Sequence, residues 1–268
     1  MASTDTETVA AAKPISPWFG GKARLASTIV PRIEAIEHRC YAEPFVGMGG
    51  IFLRRKTRVR SEVINDLNGD VANLFRVVRE HPDELARQFE WTLSSRAEFE
   101  RFVDIAPHTL TDIQRAARFA FMHRMSFSGK TEMTRGQMGV KPHRSAPFNA
   151  ASMRHLIAAA NHRLQGVHVE SLDWRDFIRR YDRPFTLFYL DPPYWGHEED
   201  YGKGLFARDD FAAMAETLAE IQGRFLLSVN DVPELREMFH AFTIDTVTTS
   251  YTPNVKATRK ATELLISN

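Results

Sequence analysis

The sequence contains a single cysteine, Cys40, among 268 residues. One thiol excludes an internal disulfide framework and any zinc site built from several cysteines. No apolar run approaches the roughly 20 residues that a membrane-spanning helix needs. Residues 1–13 also lack the cationic start and the apolar run of a signal peptide. These absences predict a cytoplasmic protein with no membrane partner, and no residue cluster implies a metal.

The sequence also has almost no net charge, because 35 Lys and Arg residues are matched by 34 Asp and Glu residues. This balance excludes a generally basic coat, so any affinity for phosphate has to come from local charge distribution. One stretch differs, since Glu132 is the only acid between Ile113 and Arg154. The cations of this basic region are Arg115, Arg118, Arg124, Lys130, Arg135, Lys141, Arg144 and Arg154.

Local patterns divide the chain into three parts. Residues 1–13 are small, polar and aperiodic, which predicts a flexible tail. Residues 81–161 carry helical patterns and a loop rich in glycine and proline, without strand alternation, so we interpret them as an inserted helical domain. Residues 14–80 and 162–268 then form the main domain, which is large enough for one α/β core.

Apolar runs alternate with amphipathic repeats outside the insertion. Helical spacing relates Val71, Leu74, Phe75 and Val78, and again Phe211, Met214, Leu218 and Ile221. The runs that predict strands are Cys40–Ala42, Glu62–Ile64, His168–Ser171, Thr186–Leu190, Arg224–Val229, Ile244–Thr249 and Glu263–Ile266. Such alternation predicts a doubly wound, mostly parallel sheet, with a ligand site at the carboxyl ends of its strands near the topological switch point.

The strongest chemical motif is Asp191-Pro192-Pro193-Tyr194, which directly follows the apolar run Leu187-Phe188-Tyr189-Leu190. Two prolines remove backbone donors, so the Asp191 side chain and the Pro192 carbonyl can both accept hydrogen bonds from one amino group. An exocyclic base amine needs that environment, and Tyr194 could stack on the base. The alternative is a strand that simply stops at a proline turn.

Two further motifs follow the first and second predicted strands. Glu43-Pro44-Phe45-Val46-Gly47-Met48-Gly49-Gly50 has close glycines that would let a cofactor lie against the backbone, although an ordinary glycine turn explains it equally well. Asp66 lies about 20 residues further on, where an acid can accept both ribose hydroxyls of an adenosine. The alternative for Asp66 is the N-cap of a helix.

A fourth segment, Pro17-Trp18-Phe19-Gly20-Gly21-Lys22, precedes the first strand of the predicted sheet. Lys22 could pair with a carboxylate, whereas taken alone the segment is better explained as a capped surface turn with a packed Trp18 and a solvated lysine.

These four segments, in this order, resemble the Dam-like class of DNA adenine N6-methyltransferases, and the likeness spans Pro17 to Asn268. Ser228-Val229-Asn230-Asp231 and the stretch from Arg259 to Leu265 also resemble that family, as a strand end and as a closing hairpin strand. The resemblance implies a Rossmann-like class I methyltransferase fold, S-adenosylmethionine as cofactor and double-stranded DNA as substrate. It also implies that the insertion recognises the DNA target.

The resemblance further implies roles for individual residues. The flipped adenine would be held by Asp191, Pro192, Pro193 and Tyr194. The cofactor would be bound by Trp18, Lys22, Glu43, Phe45, Gly47, Gly49, Asp66, Asp173 and Asp191. DNA contacts are expected from Arg124, Lys130, Arg135, Lys141, Arg144 and Arg259, which could read guanine edges or grip phosphates. The insertion departs from the family pattern, so no target sequence is transferred.

Two alternative functions stay open from sequence alone. Cytosine N4 methylation uses similar geometry but usually has serine at the position of Asp191, and a silent DNA-binding module would need no intact tetrad. The polar run from His197 to Asp200 is interpreted as a mobile flap rather than a metal cage. A monomer is the expected state, and a partner restriction nuclease is compatible with the sequence.

Overall fold

The computed structural model describes residues 6–18, 20–126, 138–139, 145–198, 204–254 and 257–268, with side chains left out at 249–261. Its first element differs from the expected tail through Lys13. Strand β1 (Thr6–Thr8) pairs antiparallel with β3 (Thr57–Val59), and the side chains of Val9 and Ala12 are buried. Ordered contacts therefore begin before Pro14, because two apolar side chains anchor this segment.

Within the described residues the main sheet contains seven strands, and every strand expected from the sequence is present. They are β2 (Cys40–Glu43), β4 (Ser61–Asn65), β5 (His168–Glu170), β6 (Thr186–Leu190), β7 (Arg224–Asn230), β8 (Thr243–Asn254) and β9 (Ala257–Ser267). Their order is β5-β4-β2-β6-β7-β9-β8. The pairs from β5 to β7 are parallel, whereas β9 runs antiparallel to both β7 and β8. The predicted doubly wound, mostly parallel sheet is thus confirmed.

Helices cover this sheet and account for the predicted amphipathic repeats. Outside the insertion they are α1 (Ala26–Ala35), α2 (Gly69–Glu80), α7 (Trp174–Tyr181), α8 (Asp210–Glu220) and α9 (Pro233–Met238). In α2 the side chains of Val71, Leu74, Phe75 and Val78 are all buried, as their spacing predicts. Among the described residues, no helix is long and apolar enough to span a membrane.

The insertion is helical, with α3 (Pro82–Glu90), α4 (Arg96–Asp104), α5 (Asp112–Met125) and α6 (Ala150–Arg163). Its apolar faces do not form a separate core. Leu85, Phe121 and Met153 belong to the same hydrophobic cluster as Leu74 of α2 and Ile64 of β4. The helices therefore extend the core of the sheet domain, and the proposed boundaries at residues 81 and 161 stay a prediction.

The central strand β6 is buried on both faces. Leu187 and Tyr189 join the hydrophobic cluster shared with α2, while Phe188 and Leu190 join a second cluster with α7 and α8. Side chains alternate between the two faces of a strand, so only an apolar run of this kind fits between two helical layers. β2 is the first strand of the main sheet along the chain. Strands β4 and β5 are added on one side of it, and β6 and β7 on the other, so the switch point lies between β2 and β6.

Candidate active site

Asp191 lies at the carboxyl end of β6, next to the switch point, where such sheets bind ligands. Its side chain is 20% exposed, so it is accessible from a cleft although its backbone extends a buried strand. Pro192 and Pro193 follow without backbone N–H groups. The Asp191 carboxylate is therefore available at the strand end, whereas Pro192 is buried and the role of its carbonyl as a second acceptor stays a prediction.

Lys22 is the main partner of Asp191. It lies just before α1, where its carbonyl accepts a hydrogen bond from Ala26 N, and it is only 3% exposed. The Nζ atom is 2.9 Å from Asp191 Oδ1 and donates to the Tyr194 hydroxyl at 2.6 Å. The expectation that Lys22 pairs with a carboxylate is confirmed, and the alternative of a solvated surface lysine is wrong.

Burial has the largest effect on the pKa values of Asp191 and Tyr194. It raises the pKa of Asp191 from 3.8 to about 6, against the lowering effect of the Lys22 ammonium. Asp191 is therefore ionised at neutral pH and becomes protonated under mildly acidic conditions. Burial and the carboxylate of Glu263 raise the pKa of Tyr194 well above its usual range, so its hydroxyl stays neutral.

Gly47 is constrained by its backbone conformation and by the neighbouring Trp18 side chain. Its φ is +49°, a conformation that side-chain-bearing residues rarely adopt, and a Cβ atom there would lie 2.7 Å from Trp18 Nε1. Its N–H donates to Asp66 Oδ2 at 2.9 Å. Gly49 has a φ of +73°, but it packs against Leu53 and Phe75. Gly47 thus shapes the site, while Gly49 shapes the turn beneath it.

Asp66 is aimed by two backbone donors. Its Oδ1 accepts from Asn68 N and its Oδ2 from Gly47 N, each at 2.9 Å. The alternative role as a helix N-cap belongs instead to Asn68, whose side chain accepts from Asp70 N at the start of α2. Burial raises the pKa of Asp66 to about 6. A carboxylate held this way is oriented for ligand hydroxyls.

Asn65, at the end of β4, forms hydrogen bonds to two other loops. Its Nδ2 donates to the carbonyls of Pro44 and Leu172, at 2.9 and 3.0 Å, and its Oδ1 accepts from Leu172 N at 2.8 Å. The side chain is nearly fully buried. Asn65 therefore fixes the loop after β2 to the loop after β5, a role that the sequence analysis missed.

Two adjoining cavities open at this end of the sheet. Trp18, Phe45, Gly47 and Asp191 line both. The first, the Asp66 cavity, is also lined by Pro44, Asn65, Asp66, Leu172, Pro193 and Phe206. The second, the Lys22 cavity, has a volume of about 330 Å³ and is also lined by Gly21, Lys22, Glu43, Met48, Arg54 and Arg124.

Most predicted cofactor residues meet here, but four of the predicted catalytic and cofactor residues line neither cavity. Gly49 is one of them, since it lies in the turn beneath Gly47. Pro192 and Tyr194 are absent from both linings, although Tyr194 contacts Lys22. Asp173 is absent too, because its carboxylate caps α7 by accepting from Arg175 N at 2.9 Å. Trp18 packs its indole against His123, with ring centroids 4.8 Å apart.

Glu43 is the most buried acid at the site. It ends β2, is 2% exposed, and its Oε2 accepts from the Tyr41 hydroxyl at 2.6 Å. Burial, together with the negative charge of Asp191, raises the pKa of Glu43 to about 8, against the lowering effect of the hydrogen bond from Tyr41. Glu43 is therefore predominantly protonated at neutral pH, a state that no sequence pattern predicts.

The basic region contributes less free charge than its composition indicates. Arg124 lines the Lys22 cavity, and its guanidinium donates to the carbonyls of Ile15 and Pro147. Arg115 pairs with Asp70, and Arg118 donates to Phe102 O. The predicted DNA contacts Lys130, Arg135, Lys141 and Arg144 lie outside the described residues, as does the side chain of Arg259.

The loop after the tetrad is held near its start. Asn230 Oδ1 accepts from Trp195 N at 2.9 Å, and its Nδ2 donates to Trp195 O at 3.2 Å. Glu198 pairs with Arg208 at 3.1 Å. Glu199 and Asp200 of the predicted flap lie outside the described residues. Where side chains are described, no group of three or more His, Cys, Asp or Glu residues could hold a metal ion.

Glu263, in β9, is a site residue that the sequence analysis missed. Its Oε2 is 3.1 Å from Lys22 Nζ, and its Oε1 accepts from the Tyr194 hydroxyl at 2.5 Å. Ser228, in β7, donates to Oε2 at 3.3 Å. The available signal was a lone acid beside the apolar run Leu264-Leu265-Ile266 in a strand predicted to close the sheet.

Known proteins are similar to this chain over most of its length. The "Type II methyltransferase M1.LlaDCHI" of Lactococcus lactis subsp. cremoris is 22% identical, with 96% of this chain and 95% of that protein covered. A "DNA adenine methylase" of Escherichia coli is 26% identical, with 92% of each chain covered. The "Type II methyltransferase M.MjaIII" of Methanocaldococcus jannaschii is 23% identical, with 96% and 99% covered.

The family model described as "D12 class N6 adenine-specific DNA methyltransferase" matches residues 18–252, which include Trp18, Lys22, the glycine loop, Asp66 and the Asp191 tetrad. Methyltransferases in general take their methyl group from S-adenosylmethionine. By this match, and with the fold and site geometry described above, the chain belongs to the D12 class of N6 adenine-specific DNA methyltransferases.

Proposed function

We propose that this chain transfers a methyl group from S-adenosylmethionine to the N6 atom of an adenine flipped out of double-stranded DNA, with Asp191 and the Pro192 carbonyl accepting hydrogen bonds from the amine. The observation that carries this assignment is the position of Asp191. It lines both cavities, and Lys22 engages its Oδ1 atom while the described residues offer no hydrogen-bond donor to Oδ2. Oδ2 is thus available to an incoming N–H group.

The residues of the Asp66 cavity fit the nucleoside part of this cofactor. Asp66, held by two backbone N–H groups, can accept from ribose hydroxyls, while Phe45, Leu172 and Phe206 offer apolar surface to a base. The bound cofactor supplies an electrophilic methyl group on a sulfonium. Trp18 and Gly47, which line both cavities, would position it beside Asp191.

The target adenine has to leave the duplex, because a stacked base cannot reach a strand end inside a cleft. The Lys22 cavity adjoins Asp191 and has a volume in the range of small-molecule sites. Tyr194 is the aromatic side chain next to the proposed acceptors, and two hydrogen bonds hold its hydroxyl. Its ring would replace part of the stacking that the flipped base loses.

The helical insertion at residues 81–161 is the proposed region for DNA target recognition. Its basic stretch from Ile113 to Arg154 supports this role, although Arg115, Arg118 and Arg124 are engaged in internal contacts. Direct contacts to phosphates or guanine edges would then come from Lys130, Arg135, Lys141 and Arg144, with Arg259 from the closing hairpin.

The test uses labelled S-adenosylmethionine with duplexes that carry either adenine or cytosine as the only aminated target base. After digestion, we expect methyladenine from the first duplex and no labelled nucleoside from the second; methylcytosine as the sole product would contradict the proposal. Asp191→Ala should lower transfer at least about a hundredfold while DNA retention is largely kept. Full activity in this variant would refute the role of Asp191.

The cellular setting is a separate proposal. Two of the similar proteins bear the name of Type II methyltransferases, which supports a role beside a restriction nuclease, while others are named DNA adenine methylase, which supports a role without one. A cytoplasmic location follows from the DNA substrate, and action as a monomer is the simplest arrangement. Sequencing methylated genomic DNA from an expressing host would identify the target site.

A further inference from the structure

We propose that Glu263 is a positioning residue of the methyl transfer, which holds Lys22 and Tyr194 in place around Asp191. The inference rests on the proposed roles of Asp191 and Tyr194. It goes beyond them because Glu263 lies 69 residues from Tyr194, in the strand that closes the sheet, and has no part in the four motifs. Three independent elements meet at its two oxygen atoms.

The register of β9 puts Glu263 in the interior of the sheet. It pairs with Asn230 of β7 on one side and with Val247 of β8 on the other. Alternation along the strand puts it on the same face as Leu265, which belongs to the core cluster shared with Tyr41 and Tyr189. A carboxylate at such a position is costly unless partners compensate its charge.

The partners of Glu263 are the groups around the proposed acceptor. Oε1 accepts from the Tyr194 hydroxyl at 2.5 Å, and Oε2 contacts Lys22 Nζ at 3.1 Å and Ser228 Oγ at 3.3 Å. Lys22 in turn reaches Asp191 Oδ1 at 2.9 Å and the Tyr194 hydroxyl at 2.6 Å. Glu263 thus closes a ring of contacts in which Lys22 is shared between two carboxylates.

Sharing Lys22 has two consequences for Asp191. The ammonium occupies one oxygen of Asp191 and leaves the other for the substrate amine. The Lys22 ammonium is also attracted to the Glu263 carboxylate. Lys22 lowers the pKa of Asp191, whereas the negative charge of Glu263 raises it. The other titratable groups near Asp191 are Glu43, Tyr189 and Tyr194, whose own pKa values respond to its charge.

The first experiment measures single-turnover methyl transfer against pH for the wild type and Glu263→Gln. The amide keeps an acceptor for Tyr194 but removes the charge, so Lys22 pairs with Asp191 alone. We expect the acid limb, near pH 6 in the wild type, to move to lower pH by about one pH unit, the size of a like-charge interaction across a few ångströms. An acid limb that does not move would overturn the inference.

The matched control is Glu62→Gln, which changes another buried glutamate of the same sheet. Glu62 binds Arg55 at 2.6 Å and Arg163 at 2.5 Å, away from Asp191. Assayed well below its unfolding temperature, this variant should lose stability and keep the wild-type acid limb. Because a merely structural role of Glu263 would give that same result, the pH profile separates positioning from packing.

Two more variants keep the inference testable if Glu263→Gln does not fold. Glu263→Asp retains the charge but retracts the carboxylate by one methylene, so transfer should fall about tenfold with the acid limb in place. Tyr194→Phe removes the hydroxyl contacts, and combining it with Glu263→Asp should cost far less than the product of the single losses. Wild-type activity in Glu263→Asp would overturn the inference, and so would a double variant whose loss equals the product of the single losses.

Failure of this inference is distinguishable from failure of the proposed function. A wild type that does not methylate adenine refutes the proposed function, whatever the variants do. An active wild type with a pH profile indifferent to Glu263 refutes only the positioning role.

Discussion

Replacing Glu43 by glutamine should stabilise the protein, and increasingly so as the pH rises. Glu43 is buried at the end of β2 and accepts one hydrogen bond from the Tyr41 hydroxyl. Glutamine has nearly the same shape and keeps an oxygen for that bond. The substitution therefore removes an ionisable group while leaving the packing of Tyr41 in place.

The magnitude follows from linkage between protonation and folding. The pKa of Glu43 rises from 4.5 to about 8, so the native chain binds its proton more tightly than the unfolded chain. The wild-type free energy of unfolding is then unaffected below pH 4.5 and falls as the pH rises toward 8. At about 1.4 kcal/mol per pH unit, the glutamine variant gains about 4 kcal/mol on the wild type by pH 7.5.

The assay is urea denaturation of both proteins at several pH values between 4.5 and 8, with the difference in unfolding free energy plotted against pH. Glu216→Gln, on the exposed face of α8, controls for the substitution itself. A difference that stays constant across this range would refute the reasoning, because it would mean that Glu43 ionises alike in the native and unfolded chains.

Two further substitutions test the cavity residues. Asp66→Asn should weaken S-adenosylmethionine binding by about tenfold in titration calorimetry, because one oriented acceptor is lost, whereas Asp173→Ala should lower stability by removing the cap of α7 and leave that affinity unchanged. Gly47→Ala should cost about 1–3 kcal/mol of stability and also weaken cofactor binding, since its Cβ would displace Trp18. Gly196→Ala has a similarly positive φ of +83° with nothing within 4 Å, so it should show strain alone; equal cofactor affinities in the two glycine variants would contradict the Trp18 argument.

The central strands β2, β4, β6 and β7 were predictable because each is a short, largely apolar run that the structure buries. In β6 all five residues are buried, which requires a helical layer on both faces. A strand of that kind has to lie in the middle of a doubly wound sheet. The position of Asp191 at a ligand-binding edge of the sheet was therefore predictable from the sequence.

Asp66 and Asp173 show where sequence reasoning stops. Each acid follows a predicted strand by a few residues, so their local patterns are equivalent. The distinction lies in which backbone groups each carboxylate meets: Asp66 is held across two loops by Gly47 and Asn68, while Asp173 is used by the first turn of α7. Contacts between distant loops leave no periodic signal, and the same holds for Asn65 and Glu263.

The helical insertion illustrates a second limit. Periodicity in α3, α5 and α6 predicts that each helix has an apolar face, but it does not tell which surface that face covers. The structure packs these faces onto α2, in one cluster with the sheet. A separate domain and an extension of the core have the same sequence pattern, so only the three-dimensional packing distinguishes them.

The raised pKa values of the acids at the site indicate which ligand charge the cleft favours. Burial raises the pKa of Glu43, Asp66 and Asp191 alike, which means that the folded protein holds three carboxyl groups where their negative charge is poorly solvated. Such an arrangement destabilises the native state at neutral pH and above, as expected when a site is organised for ligand rather than for stability. A positively charged ligand among these groups would be stabilised by each ionised carboxylate. Lys22 alone does not cancel that preference, because it is already shared between Asp191 and Glu263. The ionised forms of Asp66 and Asp191 would therefore favour a cationic ligand over a neutral one, which supports the sulfonium donor proposed above.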